Sequence, residues 1–288
     1  MKRLHTSSRM RNGRWLLPLS LALVLSGCLM EEKFIFFPMA EIERTPREVG
    51  LAYEDIYFTS ADGVRLNGWL VRYPGAETTL LWLHGNAGNI GHRVEGIKLL
   101  HDKLEANVFI IDYRGYGRSE GTISEAGTYE DALAADRYLR GRKDIDSKRI
   151  VLFGQSLGSA VAADLAGRGE SLALIIEAPF ASIREMARAV YPWLPVGPLL
   201  RTRYDVVEKI KKVKAPVLVA HGEEDDIVPF EQGKQVFVAA SAPKEFYAIR
   251  GARHNDTFEI GGSAYFAVLK DFIERAAAGR IKPSGAGE

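Results

Sequence analysis

A serine between two glycines is the first group in the sequence suited to covalent chemistry. The pentapeptide Gly154-Gln155-Ser156-Leu157-Gly158 follows an apolar run that ends at Phe153, and it opens a stretch rich in small residues. A sharp turn from strand to helix would lift the serine hydroxyl clear of a sheet, and the glycines would let neighbouring backbone approach closely. The pattern alone is a weak signal, but its position between a strand and a helix strengthens it. We therefore predict that Ser156 is a nucleophile.

A nucleophilic serine needs a base, and the sequence has six histidines. Enzymes with this serine turn usually carry serine, acid and histidine in that chain order. The order excludes the four histidines that precede the serine, which are His5, His84, His92 and His101. His221 ends a candidate strand, and we find no suitable acid-bearing strand end between it and Ser156. His254 lies in a loop after the last candidate strand, so we predict that His254 is the base.

The acid should lie between the serine and the histidine, after a strand. The segment from His221 to Pro229 supplies four carboxylates, at Glu223, Glu224, Asp225 and Asp226. Position in the chain does not separate Asp225 from Asp226. The predicted role of the acid is to hold the histidine ring in the required tautomer and to stabilise the imidazolium that forms.

Acyl transfer also needs two preorganised N–H donors for the developing oxyanion. One is predicted to be the backbone amide of Leu157, directly after the nucleophile. The other should come from the loop His84-Gly85-Asn86-Ala87-Gly88-Asn89, and we assign it to the amide of Asn86. His84 itself is interpreted as a structural residue that shapes this loop.

Short apolar runs alternate with longer helical patterns from Tyr53 onward, which predicts a doubly wound α/β sheet. The predicted strands are Asp55–Phe58, Leu66–Arg72, Thr79–Leu83, Val108–Asp112, Arg149–Phe153, Leu172–Glu177, Val217–His221 and Glu245–Ile249. The predicted helices are His92–Lys103, Glu125–Gly141, Leu157–Gly167, Phe230–Ala240 and Ser263–Ala278. Residues 181–214 interrupt the alternation with an aromatic, proline-rich knot around Trp193 and a helical run, which favours a small lid.

Five motifs in order resemble those of serine α/β-hydrolases of the depalmitoylase-like group. They are Phe153–Gly158, His84–Asn89, Asp112–Ser119, His221–Asp225 and Gly251–Asp256. The resemblance covers about residues 53–278 and implies an α/β-hydrolase fold, with a mostly parallel eight-stranded sheet in a domain at 51–280. It also implies that the acid is Asp225, and that Asp112 is structural. Asp256 is interpreted either as a residue that orients the loop or as a solvent-exposed acid.

The first 27 residues carry five basic residues and no acid, and they include an apolar run from Trp15 to Leu25. That pattern is typical of an export signal, because the run is shorter than the roughly 20 residues that span a bilayer. An uncleaved anchor helix is the alternative. Leu25-Ser26-Gly27-Cys28 resembles a bacterial lipobox, which implies a lipid anchor on Cys28. Leu29 then favours the outer membrane if the cell is Gram-negative. We predict a tether at 28–50 and a disordered tail at 281–288.

Composition and the absence of certain motifs exclude several classes of partner and cofactor. Lys and Arg total 38 against 37 Asp and Glu, so we expect no nucleic-acid partner. The single cysteine excludes a disulfide framework, and no nucleotide-binding or zinc-protease motif is present, so no cofactor or metal is expected. The sequence therefore predicts a lipid-anchored hydrolase of a small hydrophobic ester or thioester. A peptidase or amidase on the same fold and a catalytically silent binding lipoprotein are the alternatives.

Overall fold

An eight-stranded sheet forms the centre of the structure. The computed structural model describes residues 31–193, 200–241 and 243–281. The predicted signal, Cys28, residues 282–288 of the predicted tail and residues 194–199 of the predicted lid lie outside them. The strands are β1 Phe37–Pro38, β2 Glu54–Thr59, β3 Arg65–Val71, β4 Thr79–Leu83, β5 Ala87–Gly88, β6 Asn107–Asp112, β7 Ile150–Gln155, β8 Ala173–Glu177, β9 Val217–Gly222 and β10 Lys244–Ile249. All eight predicted strands are present, with ends within two residues of those expected.

The order across the sheet is β10-β9-β8-β7-β4-β6-β3-β2. Strand β3 pairs antiparallel with β2 and β6, and the other pairs are parallel. Strands β4, β6 and β8 are buried at every position. Their continuous apolar runs are what a parallel sheet covered on both faces requires. The predicted mostly parallel sheet is confirmed.

Helices cover both faces of this sheet. They are α1 Glu31–Ile35, α2 Val94–Leu104, α3 Glu125–Gly141, α4 Leu157–Arg168, α5 Ile183–Val190, α6 Val206–Ile210, α7 Phe230–Ala239 and α8 Thr257–Ala277. One core packs α3, α4 and α7 against the sheet through Leu139, Val161 and Val236. The other packs α2 and α8 through Leu100 and Leu269. The carboxyl ends of the parallel strands therefore lie between two buried layers and can be held rigidly.

Three helices differ from the sequence prediction, and the first of them, α1, lies in the segment that was predicted to be a tether. Helix α8 begins at Thr257 rather than Ser263, because Gly262 adopts φ 48° and bends the helix without ending it. Helix α5 was not predicted, although Ser182 caps it by accepting a hydrogen bond from the amide of Glu185. The Ser-x-x-Glu spacing at this point is a recognised helix start.

The N-terminal residues of the described chain are packed rather than extended as a tether. Strand β1 pairs with β5 in a two-stranded parallel sheet. Phe36 is 3% exposed and belongs to the main core. The prediction of a tether to residue 50 is therefore corrected for residues 31–50, because apolar burial and strand pairing hold this segment on the domain. Within the described residues, no helix is both long enough and apolar enough to cross a bilayer.

Candidate active site

Ser156 lies at the sharp turn between β7 and α4. Its backbone has φ 52° and ψ −117°, a conformation that non-glycine residues rarely adopt. A Cβ atom on Gly158 would overlap the carbonyl oxygen of Leu83, and one on Gly154 would collide with the backbone of the helix. The Ser156 amide donates to the Glu177 carbonyl oxygen at 2.9 Å, which ties the turn to β8. The two glycines are required because strand and helix pass too closely for any side chain.

The structure brings Ser156, His254 and Asp225 together although they come from distant parts of the chain. The Oγ atom of Ser156 lies 3.0 Å from Nε2 of His254. The Nδ1 atom of His254 lies 2.8 Å from Oδ2 of Asp225. These are hydrogen-bond distances between nucleophile and base and between base and acid. This arrangement allows a proton to pass from the serine to the imidazole while the carboxylate orients the ring.

Asp225, and not Asp226, faces the imidazole. The Asp225 side chain is fully buried, and its Oδ1 accepts the amides of Ile227 and Val228 at 2.9 and 2.7 Å. Asp226 is exposed, and its carboxylate reaches only the backbone amide of His254, at 3.5 Å. Burial alone would raise the pKa of Asp225, but hydrogen bonds from His221 and His254 outweigh burial and hold the pKa well below its usual range. The group is therefore an anion at neutral pH.

The predicted oxyanion-hole residues flank the serine. Gly85, which directly precedes Asn86, passes so close that a Cβ on it would lie 3.4 Å from Cβ of Ser156, so the loop that carries Asn86 runs past the nucleophile. The Leu157 amide is the first of α4, where a helix leaves its N–H groups without partners. In the described part of the chain neither the Asn86 nor the Leu157 amide has an acceptor. Both donors are free to bind an oxyanion.

Sequence reasoning missed a buried carboxylate next to the serine. Glu177 does end a strand between Ser156 and His221, so the premise used to exclude His221 was wrong. The Glu177 carboxylate accepts hydrogen bonds from Gln155 at 2.8 Å, Thr257 at 2.9 Å and the Tyr265 hydroxyl. Burial raises its pKa, and these hydrogen bonds oppose the rise. The signal was an acid that directly follows the apolar run of β8.

His221 also takes part in the site, but not as the base. Its Nε2 atom lies 3.0 Å from the Val228 carbonyl oxygen and 3.2 Å from Oδ2 of Asp225. The ring is fully buried, and it contacts the acid, whereas the serine hydroxyl contacts His254. Its position four residues before Asp225 was available in the sequence.

The remaining sequence assignments concern structural residues. Asp112 is fully buried and accepts the amide of Ile90 at 3.0 Å, and His84 is buried beside it. Asp256 accepts the amide of Arg253 at 2.6 Å, which favours its interpretation as a residue that orients the histidine loop. No group of three or more His, Cys, Asp or Glu side chains among the described residues is arranged to hold a metal ion.

Comparisons with known proteins give the same family. A family model for the alpha/beta hydrolase fold matches residues 78–195. The chain is 36% identical over 272 residues to the alpha/beta hydrolase domain-containing protein WAV2 of Arabidopsis thaliana, covering 86% of this chain and 88% of the relative. It is 37% identical over 276 residues to protein bem46 of Schizosaccharomyces pombe, covering 88% and 90%.

A solved structure supports the fold. The esterase Pf2001 of Pyrococcus furiosus superposes with a TM-score of 0.69 at 23% identity, covering 83% of this chain and 98% of that one. At that identity the likeness speaks for the fold alone. The sequence relatives, matched over most of their length, show that the chain belongs to the α/β-hydrolase family.

Proposed function

We propose that the protein is a serine hydrolase that cleaves carboxylic esters or thioesters through an acyl-enzyme. The observation that carries the proposal is the pair of contacts made by His254, at 3.0 Å to Ser156 and 2.8 Å to Asp225. The strained serine backbone supports it, because such strain persists only where the surrounding structure imposes it.

In the first half of the reaction, Oγ of Ser156 attacks the carbonyl carbon and its proton passes to Nε2 of His254. The negative charge that develops on the carbonyl oxygen is bound by the amides of Asn86 and Leu157. Asp225 accepts a hydrogen bond from the Nδ1–H group of the ring and stabilises the imidazolium without becoming protonated. The tetrahedral intermediate then collapses, and the leaving alcohol or thiol takes the proton from Nε2.

In the second half, water attacks the acyl-enzyme. His254 accepts a proton from the water at Nε2 and returns it to Oγ of Ser156 as the acid leaves. The same two amides bind the second tetrahedral intermediate. The groups return to their starting protonation states, so the cycle needs no cofactor.

We propose that the acyl group of the substrate is hydrophobic. Three large apolar side chains at the end of α5 are exposed, and they are Val190, Tyr191 and Trp193, the last at 76%. Exposed apolar side chains grouped on one surface are typical of binding sites for apolar ligands. The resemblance to depalmitoylase-like hydrolases favours long acyl chains and thioesters. A peptidase or amidase would use the same triad and is the second candidate.

The substitution Ser156→Ala tests the nucleophile. Hydrolysis of p-nitrophenyl esters should fall at least about a thousandfold, and labelling by a fluorophosphonate probe should disappear. Ser171→Ala is a matched control, since Ser171 lies away from the site between α4 and β8 and its hydroxyl has no partner. Retained activity in Ser156→Ala would reject the proposal, and an unlabelled wild-type protein would favour the silent binding lipoprotein.

A panel of p-nitrophenyl esters, thioesters and anilides of increasing acyl length tests the substrate class. Rates that rise with chain length and exceed those of the matched anilides support the ester or thioester proposal. Faster cleavage of the anilides would favour the amidase.

A lipid anchor at Cys28 is the proposed route to the cell envelope, on the periplasmic side of the outer membrane if the cell is Gram-negative. Its support is the lipobox-like Leu25-Ser26-Gly27-Cys28 after a short apolar run. Cys28→Ser should abolish incorporation of a fatty-acid analogue and leave the leader uncleaved. A chain starting at Glu31 should be active in the soluble fraction. Its retention on membranes would point instead to direct lipid binding by residues 34–37 or Trp193.

A further inference from the structure

The side chain of Asn86 is held by the N-terminal segment, which we define as Glu31–Met39. Its Nδ2 donates a hydrogen bond to the carbonyl oxygen of Ile35. Its Oδ1 accepts the hydroxyl of Tyr116 at 3.0 Å, and the Phe37 amide lies 3.4 Å away. The residue whose backbone amide is assigned to the oxyanion hole is therefore fixed through its side chain.

The rest of the oxyanion loop is bound to the same segment. Phe37 and Pro38 pair with Ala87 and Gly88, and the amide of Met39 donates to the Gly88 carbonyl oxygen at 3.0 Å. Farther along the loop, Nδ2 of Asn89 donates to the carbonyl oxygens of Met39 and Glu41, at 3.0 and 2.6 Å. Contacts run the length of the loop from Asn86 to Asn89.

The other end of the N-terminal segment binds residues 201–204, in the second half of the insertion. The carboxylate of Glu31 accepts the amides of Arg201 and Thr202 at 3.0 and 2.8 Å. The ring of Phe36 packs edge-on against Tyr204, with 6.1 Å between ring centroids. The segment thus bridges the oxyanion loop and the insertion.

An oxyanion hole accelerates reaction only if its donors are aligned before charge develops, and small displacements of catalytic groups cost large factors in rate. Outside the N-terminal segment, the half of the loop that carries Asn86 and Ala87 is held by the Tyr116 hydroxyl and by the guanidinium of Arg93, which donates to the Ala87 carbonyl oxygen at 2.7 Å. We propose that the N-terminal segment is a positioning part of the active site, which aligns the Asn86 amide through the Asn86 side chain. This inference rests on the proposed serine-hydrolase function and extends it to residues that precede the predicted domain.

The test uses the full chain with Asn86→Ala, which keeps the backbone amide and removes the side-chain contacts. Active sites are counted by fluorophosphonate titration, and kcat is expressed per titrated site. We expect kcat for a short p-nitrophenyl ester to fall about tenfold, less than for outright loss of a donor, with KM within about twofold. A value of kcat per site within about twofold of wild type would overturn the proposal.

Asn107→Ala is a matched control. The side chain of Asn107 also joins two segments, because it accepts a hydrogen bond from the amide of Tyr73 at 3.0 Å and donates one to the hydroxyl of Thr79 at 3.2 Å. Asn107 lies at the opposite end of β6 from the site. It should lower thermal stability while kcat per site stays unchanged. An equal fall in both variants would show a general structural effect and contradict a positioning role.

Tyr116→Phe serves if Asn86→Ala does not fold, because it removes the hydroxyl that donates to Asn86 and that also accepts a hydrogen bond from the backbone of Phe37. Its kcat should fall about two- to fivefold at unchanged KM, and no change would count against the proposal. Failure of the proposed function is distinguishable, since the wild type would then have no titratable serine.

Discussion

Two buried carboxylates lie near the carboxyl ends of neighbouring strands, and their surroundings shift their pKa values in opposite directions. Asp225 follows β9 and contacts the imidazoles of His221 and His254 together with two backbone amides. Glu177 ends β8 and contacts the amide of Gln155 and two hydroxyl groups. The pKa of Asp225 is lowered and that of Glu177 is raised, although burial favours the neutral acid in both.

The two carboxylates differ in whether their hydrogen-bond donors can become positively charged. An imidazole beside Asp225 can gain a proton, so the anion is stabilised when the base takes the serine proton. The partners of Glu177 stay neutral, and they give geometry rather than charge: Gln155 precedes the nucleophile, and Thr257 begins the helix that follows the histidine loop. We infer that Asp225 supports the proton transfer, and that Glu177 holds the serine turn and the histidine loop in position.

The largest expected effect separates Asp225 from its neighbour. Asp225→Asn should lower kcat by about 10⁴-fold, because the amide disfavours the required tautomer and removes the charge that stabilises imidazolium. Asp226→Asn should leave kcat within about threefold, since its carboxylate is exposed. Steady-state kinetics on one ester settle the ranking. The reverse order would assign the acid to Asp226.

The next effect concerns Glu177. Glu177→Ala leaves the amide of Gln155 and the hydroxyls of Thr257 and Tyr265 without their acceptor, and each unsatisfied buried group costs roughly 1–3 kcal/mol. Stability should fall, and kcat should fall up to about a hundredfold as the histidine loop loses its position. Urea unfolding and kinetics are measured together. Glu177→Gln, which keeps one acceptor oxygen, should recover much of both, and an equally inactive Gln variant would mean that the charge itself is needed.

Most of the sheet could be predicted from the sequence alone, because apolar runs report burial. The positions of Ser156 and His254, which the structure brings into contact, could also be chosen from the serine turn and the chain order. The choice of Asp225 over Asp226 needed the family resemblance, since adjacent acids have the same local pattern. Glu177 was overlooked because its partners Thr257 and Tyr265 come from about 80 residues farther along the chain. The pairing of Phe37 and Pro38 with Ala87 and Gly88 was not predicted, because a two-residue strand gives no periodic signal.

A smaller effect is expected from His221. His221→Gln removes one of the two imidazoles that contact Oδ2 of Asp225 and should lower kcat about fivefold, far less than Asp225→Asn. The pH profile of kcat/KM gives a second readout, because weaker support of the carboxylate should shift its acid limb. An effect as large as that of His254→Ala would mean that His221 acts directly in the reaction.

The smallest effect is on stability against pH. The folded-state pKa of Asp225 is depressed, so its contribution is present above the ordinary aspartate pKa and is lost as pH falls below it. Wild type should therefore lose stability below about pH 4 more steeply than Asp225→Asn, by on the order of 1 kcal/mol per pH unit. Glu177 has the opposite sign: its raised pKa means that its contribution is lost as pH rises. Urea unfolding at a series of pH values checks both slopes, and parallel curves for wild type and Asp225→Asn would contradict the assignment of the anion.

The location of a covalent adduct tests the central claim most directly. Wild-type protein is treated with a fluorophosphonate and digested with trypsin, and the peptide Ile150–Arg168 is fragmented to separate Ser156 from Ser159. We predict a single adduct, on Ser156, that forms much more slowly in His254→Ala. An adduct on another residue, or ester turnover in a protein that forms none, would contradict the account.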